Sequence, residues 1–175
     1  MQNAKQHPAQ TDNSPQARLA GILDSHQPES ILSVSQNPVP LLEHWCEDHN
    51  CTLTQIVDTD PLPRLKGLGR FGIAVVADQL EYMNHQQGEE LIGRLRNLHT
   101  ESLVVLYQGQ LAPQRLRWQR NEFLGMGLRH DSRFTSEEGR EMNLYTYELA
   151  TYNFVRTWNN PRFWANPENW GKYWW

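Results

Sequence analysis

The sequence predicts an α/β fold, a three-layer sandwich with a mostly parallel twisted sheet, from one strand, helix, strand unit. Residues 71–77 form a nearly continuous apolar run that stops at Asp78. A second apolar run covers residues 103–107. Strands of this kind are buried on both faces, as in parallel sheets covered by helices. Between them lies an apolar stripe at helical spacing, formed by Leu91, Ile92, Leu95 and Leu98.

The residues before this unit predict two further helix and strand pairs. Ser14 and Pro15 suit the cap and first position of a helix that ends near residues 26–28. Residues 31–35 are expected to form the first strand, and the proline-rich turn 36–40 to start the second helix. Residues 52–57 are expected to form the second strand, which Asp58 ends.

The connection between the second strand and the strand at residues 71–77 is short. Residues 59–70 number twelve, and one crossover helix alone needs at least about ten to twelve residues. We therefore expect a shortened region after the second strand.

The residues after 107 predict a helix and then a hairpin. The Arg-rich segment 113–123 is interpreted as a helix. Residues 144–149 alternate between apolar and polar side chains, as in a strand with one buried face. A hydrophilic stretch precedes them, so we expect an antiparallel C-terminal hairpin with its tip near residues 137–140.

The chain of 175 residues is long enough for one domain with one core. Residues 1–13 are polar and are expected to be a disordered tail. Residues 14–150 are assigned to the α/β domain, and residues 151–175 to an aromatic tail packed on that domain.

The aromatic tail contains a repeat. The pattern Asn-Pro-x-x-Trp occurs at residues 160–164 and again at 166–170, which places Trp164 and Trp170 at a spacing of six. Asn can cap a helix and Pro suits its first turn, so each copy could begin one helical turn. We interpret the tail as a segment fixed to the sheet by indole burial. The alternatives are an aromatic ligand-binding site or a homodimer interface.

Composition favours a cytoplasmic protein that binds neither nucleic acid nor membranes. The net charge is −4 with both signs interspersed, and Arg115, Arg117 and Arg120 are interpreted as a solvated face. No apolar run approaches the roughly 18 residues of a membrane span, and the polar N-terminus does not resemble a signal peptide. Cys46 and Cys51 are expected to be reduced rather than zinc ligands with His44 and His49, so no metal is expected.

The order of these parts resembles the class I S-adenosylmethionine-dependent methyltransferases over residues 17–150. Residues 31–39 occupy the place of the glycine-rich cofactor motif, and Asp58 stands where the ribose-binding acid would be. Residues 70–83 look like the fourth strand and its loop, residues 103–107 like the fifth, and the hairpin like the sixth and seventh. We expect no full counterpart of that family's third strand.

The departures from the family lie in the cofactor motif. Ser35, Asn37 and Val39 fill the three glycine positions, and Ser33 replaces an acid. Glycine lets the backbone approach a cofactor without a Cβ, and prolines at 38 and 40 remove backbone N–H donors from the same turn. The chain therefore resembles a degenerate member of the family, of an uncharacterised bacterial group.

Two functions remain open from the sequence. The first is a binding or scaffold module with no ordinary cofactor binding, and the second is an active methyltransferase with an atypical cofactor loop. A hydrolase is set aside, because no Gly-x-Ser-x-Gly turn surrounds the serines. Ligands of open parallel sheets lie beyond the carboxyl ends of the strands. The candidate cofactor positions there are Ser33, Ser35, Asn37, Asp58 and Asp78, and the candidate substrate-side positions are Glu81 and Tyr82.

Overall fold

The computed structural model describes residues 14–152, which contain five α-helices and six strands. The helices are α1 Pro15–His26, α2 Pro40–His49, α3 His85–Arg94, α4 Arg120–Gly125 and α5 Leu149–Tyr152. The strands are β1 Ser30–Ser35, β2 Thr52–Val57, β3 Ile73–Ala77, β4 Ser102–Tyr107, β5 Arg129–Thr135 and β6 Glu141–Glu148. The expectations for residues 1–13, Trp164 and Trp170 lie outside the described residues.

The six strands form one sheet in the order β2-β1-β3-β4-β6-β5. The first four strands are parallel, with Ala74 paired to Leu103 at the centre. Strands β6 and β5 are antiparallel, and their hairpin turns within residues 136–140. The predicted α/β class, the parallel neighbours and the C-terminal hairpin are confirmed.

Helices cover both faces of the sheet, because successive strand residues point to opposite faces. On one face, residues such as Leu32 and Val76 pack with α3, Trp118 and Phe123. On the other face, residues such as Ile31 and Val75 pack with α1 and α2. The sheet is therefore the middle layer of three.

The connection between β2 and β3 contains no strand. Residues 58–72 are all described, and they form a short 3-10 turn at Leu62–Leu65. Leu65 is buried against the core on the α3 face, which fixes this turn to the sheet. The predicted shortened region is confirmed.

Two local predictions were wrong. Residues 113–123 do not form one helix. A 3-10 turn at Gln114–Leu116 is followed by extended backbone, and α4 begins only after Gln119, whose side chain caps it together with that of Glu122. Leu98 does not belong to the buried stripe and is 60% exposed, because α3 continues into a π-helical turn at Leu95–His99. A wider turn changes which residues face the sheet.

Candidate functional site

The carboxyl ends of β1 and β3 are joined by a small hydrogen-bonded cluster. The Asn37 amide nitrogen donates to Asp78 Oδ2 at 2.7 Å, and the Gln36 N–H donates to the Asp78 carbonyl at 3.2 Å. The Ser35 hydroxyl donates to the Asn37 carbonyl at 2.6 Å. The turn after β1 is therefore closed onto the loop after β3.

Asp78 is the centre of this cluster and has an unusual backbone conformation. Its φ is +48°, in the left-handed region that few non-glycine residues adopt but that Asp tolerates better than most. Burial first, and the nearby Asp78 carboxylate second, raise the pKa of Tyr82. Tyr82 is 50% exposed, so it faces solvent rather than packing beneath the loop.

Asp58, the candidate ribose-binding acid, follows Val57, which pairs with Ser35, but among the described residues it shares no hydrogen bond with the cluster. Its Oδ1 accepts the Asp60 N–H at 3.1 Å, and its Oδ2 accepts from Arg64 Nε at 3.2 Å. The Asp60 N–H first, and Arg64 second, lower the pKa of Asp58. The carboxylate is held by its own loop.

Ser33 is not at the edge of the sheet. It lies inside β1, paired in register with Gln55 and Val75, and is 1% exposed. Its hydroxyl oxygen has no hydrogen-bond partner in the described part of the chain. Of the candidate positions, the structure brings together Ser35, Asn37, Asp78 and Tyr82, whereas Ser33 and Asp58 share no hydrogen bond with them in the described part of the chain.

Glu81 is buried directly beneath this edge. Its Oε1 accepts the Gln108 N–H at 2.7 Å, which joins the loop after β3 to the loop after β4. Burial raises the pKa of Glu81 to about 7, although the Gln108 N–H partly opposes the shift. Its Oε2 has no partner among the described residues.

Gln79 and Gln108 were missed by sequence reasoning. Gln79 is fully buried, and within residues 14–152 neither its amide oxygen nor its amide nitrogen has a partner. Gln108 supplies the backbone donor to Glu81. A glutamine in a loop gives no sequence signal for burial. The one available signal was that both glutamines closely follow a predicted strand and therefore lie at the carboxyl edge of the sheet.

A cavity of about 200 Å³ opens beside the cluster, between α1 and the carboxyl ends of β3 and β4. Its lining is mainly apolar and includes Leu19, Val39 and Leu106, with Asp78 and Gln108 as polar members. Small-molecule sites usually measure about 300 to 1,000 Å³. This cavity is smaller than that range.

S-adenosylmethionine is the cofactor that the resemblance to class I methyltransferases implies, and the residues of the turn after β1 differ from those of that family's cofactor loop. Residues 35–39 contain no glycine, Pro38 has no N–H, and the Gln36 N–H already bonds Asp78. The family's loop needs a bare backbone and free donors at this place. The side chain of Asn37 instead bridges to Asp78 across the turn.

Residues 14–152 contain no group of three or more His, Cys, Asp or Glu side chains arranged to hold a metal ion. None of the helices there is long and apolar enough to cross a membrane.

Several solved structures with a similar fold are methyltransferases. A candidate O-methyltransferase from Nostoc punctiforme is 11% identical, with a TM-score of 0.50 over 77% of this chain and 55% of that protein. An rRNA methylase from Escherichia coli is 13% identical, with a TM-score of 0.46 over 75% of this chain and 62% of its own. The chain thus spans less than two thirds of the length of both proteins. At such identities the likeness shows the fold alone.

The magnesium protoporphyrin IX methyltransferase of Synechocystis, solved with S-adenosylhomocysteine, is 12% identical, with a TM-score of 0.49 over 76% of this chain and 80% of that protein. No curated protein sequence matches this chain. A family model does match, over residues 13–175, and it describes a family of unknown function. The chain belongs to that family, DUF6231.

Proposed function

We propose that this protein is a binding or scaffold module built on a methyltransferase-like fold, and that it does not bind S-adenosylmethionine in the manner of that fold's enzymes. The observation that carries the proposal is the closed turn after β1. The Asn37 side chain and the Gln36 backbone N–H both donate to Asp78, so these donors at the place of a bare cofactor loop are already used within the protein.

Changes at the other cofactor contacts that the resemblance implies also speak against cofactor binding. Ser33 is neutral, buried and inside the strand, so it cannot supply a carboxylate at the edge. Asp58 would have to exchange its bonds to Arg64 and the Asp60 N–H for a ribose hydroxyl. The chain segment that connects β2 to β3 contains no strand. The part of the adenine pocket that the family's third strand supplies therefore has no counterpart here.

An active methyltransferase with an atypical loop is the second candidate function. It is favoured by Glu81, since a carboxyl whose pKa is about 7 suits a general base near neutral pH. Tyr82 and Asp78 lie at the same edge. In this case Ser35 and Asn37 would supply hydroxyl and amide contacts to S-adenosylmethionine.

Thermal unfolding with cofactor distinguishes the two functions. A ligand that binds only the folded state adds about 2.7 kcal/mol at one hundred times its Kd. For a domain of this size that gain raises Tm by several degrees. We expect no shift of Tm with millimolar S-adenosylmethionine or S-adenosylhomocysteine.

If the cofactor does raise Tm, the variants Asp58→Ala and Asp60→Ala show whether it binds at Asp58. Asp60 is an exposed neighbour whose backbone N–H, rather than its side chain, contacts Asp58. A cofactor-induced shift that disappears in Asp58→Ala and persists in Asp60→Ala would contradict the proposal and support the methyltransferase. A shift that persists in both variants would also contradict it, and would place the cofactor away from Asp58.

A further inference from the structure

A second groove lies on the opposite face of the carboxyl edge from the small cavity. It measures about 380 Å³, within the usual range for small-molecule sites. It runs between the end of β4, the segment before α4 and the start of β6. Its lining includes Tyr107, Gly109, Arg117, Arg120, Asn143 and Tyr145.

The two arginines of this groove differ from most others in the described chain. Six arginines there form ion pairs with carboxylates, and Arg96 and Arg129 donate to backbone carbonyls. Among residues 14–152, no carboxylate lies within ion-pairing distance of Arg117 or Arg120. Burial raises the pKa of the Tyr107 and Tyr145 phenols, and the guanidinium charges of Arg117 and Arg120, respectively, oppose this shift.

Two carboxylates near the groove are already engaged. Glu141, which lines it, is ion-paired with Arg133. Glu122 accepts the Gln119 N–H with one oxygen and lies 2.7 Å from His85 Nδ1 with the other. The two arginines therefore leave the groove with a positive charge.

Neutral donors complete the polar surface. The buried Tyr107 hydroxyl accepts the Trp118 N–H at 2.8 Å, which leaves its own hydrogen to donate. Asn143 Oδ1 lies 3.0 Å from His130 Nε2, so the Asn143 amide nitrogen keeps its two hydrogens for another acceptor. The groove thus offers donors and has few acceptors to repel an anion.

The floor beside Tyr107 is kept open by Gly109. A Cβ at this position would lie 3.2 Å from Tyr107 Cε1 and 3.7 Å from Arg117 Cγ. The lining also contains flat rings: Trp118 and Tyr145 both pack on Phe123, at 5.4 and 4.1 Å between ring centroids. Trp118 and Tyr145 are 4% and 3% exposed, so a planar ring would contact only the small part of these side chains that lines the groove, with its charged group toward the arginines.

We propose that this groove binds a small aromatic compound that carries a phosphate group. Two guanidinium groups match the charge of a phosphate, which is close to −2 at neutral pH, and guanidinium geometry suits its oxygens. The inference rests on the proposed function, since it names a ligand class for a protein that binds rather than methylates.

The full-length chain titrated with phenyl phosphate tests this inference by calorimetry. We expect saturable binding that is at least about tenfold tighter than that of phenol or of inorganic phosphate, because each probe lacks half of the contacts. Arg117→Gln and Arg120→Gln should each weaken binding by roughly tenfold or more, as for loss of a charged hydrogen bond. Arg115→Gln, the matched control outside the groove, should leave it unchanged.

Gly109→Ala tests whether the ligand binds in this groove, because it adds one methyl group between Tyr107 and Arg117 without changing the charge. We expect it to weaken phenyl phosphate binding as well. Absence of saturable binding, equal binding of phenol, or an equal effect of Arg115→Gln would overturn the inference. Cofactor binding that depends on Asp58 would overturn the proposed function alone, because Asp58 is not part of this groove.

Discussion

At the scale of single residues, Glu81 is the most perturbed carboxyl at the candidate site. It is 1% exposed, and burial raises its pKa from 4.5 to about 7. In the unfolded chain the carboxyl loses its proton near its ordinary pKa, while in the folded protein it holds the proton until about pH 7. The free energy of unfolding therefore falls as pH rises from about 4.5 to about 7, and this contribution is constant above that range.

Glu81→Gln is expected to remove this pH dependence. Glutamine keeps an oxygen for the Gln108 N–H but has no proton to lose. Relative to the variant, the wild-type protein should lose up to about 3 kcal/mol between pH 4.5 and 7.5. Chemical denaturation across this pH range measures the difference.

Glu89→Gln is the control for the Glu81 prediction, since Glu89 is an exposed glutamate on the nearby helix α3. If Glu81→Gln and Glu89→Gln showed the same pH profile as the wild type, burial would not govern the ionisation of Glu81.

The sequence identified part of the candidate site because the ends of buried strands can be predicted from the apolar pattern. Asp78 follows an apolar run, and Asn37 lies in a proline-rich turn, so both were placed at the edge and they do meet there. Ser33 was misplaced because its role came from alignment with a motif, whereas its position inside β1 makes it buried. Arg117 and Arg120 are exposed, as expected for a solvated face, but the sequence does not show that both line one groove.

At the scale of elements, the packing of α3 depends on one glycine. Gly88 is buried on this helix, and a Cβ there would overlap the ring of Trp118 and lie 3.2 Å from Leu80 Cδ2. Trp118 in turn stacks on His85 at 4.9 Å, at the start of the same helix. The bare backbone at Gly88 is what lets the segment before α4 approach α3.

Gly88→Ala should therefore destabilise the protein although alanine is the better helix former. Overpacking a closely packed core costs about 1 to 3 kcal/mol. Equilibrium denaturation and the fluorescence of the tryptophans measure the loss of stability and the displaced indole.

Gly93→Ala is the matched variant on the same helix, where a Cβ would meet nothing within 4 Å. It should be neutral or stabilise by up to about 1 kcal/mol, since alanine restricts the unfolded chain. Equal effects of the two substitutions would mean that Trp118 does not limit the space at Gly88.

At the scale of the whole molecule, the aromatic tail is the largest feature outside the described residues. Residues 145–175 carry eleven of the eighteen aromatic residues, and residues 153–175 are not described. The repeated Asn-Pro-x-x-Trp pattern still predicts that Trp164 and Trp170 are buried against the same chain.

Truncation after Asn159 tests this prediction. Removing one buried tryptophan side chain costs about 3 to 5 kcal/mol, so loss of Trp164 and Trp170 should lower the stability by several kcal/mol. Thermal and chemical denaturation measure the change. A stability equal to that of the full chain would exclude the tail as a structural element, and a change from dimer to monomer on sedimentation would support an interface instead.

By itself, the sequence determined the α/β class, the parallel strands, the short connection after β2 and the C-terminal hairpin. These features follow from local patterns of apolar residues and from the minimum length of a crossover, which one chain segment displays on its own. Only the tertiary structure decided that Asn37 bonds Asp78, that Glu81 is buried beneath Gln108, and that Arg117 and Arg120 share a groove with Tyr107. Such contacts join residues far apart in the chain, and their geometry depends on how neighbouring loops pack rather than on the propensity of any one segment.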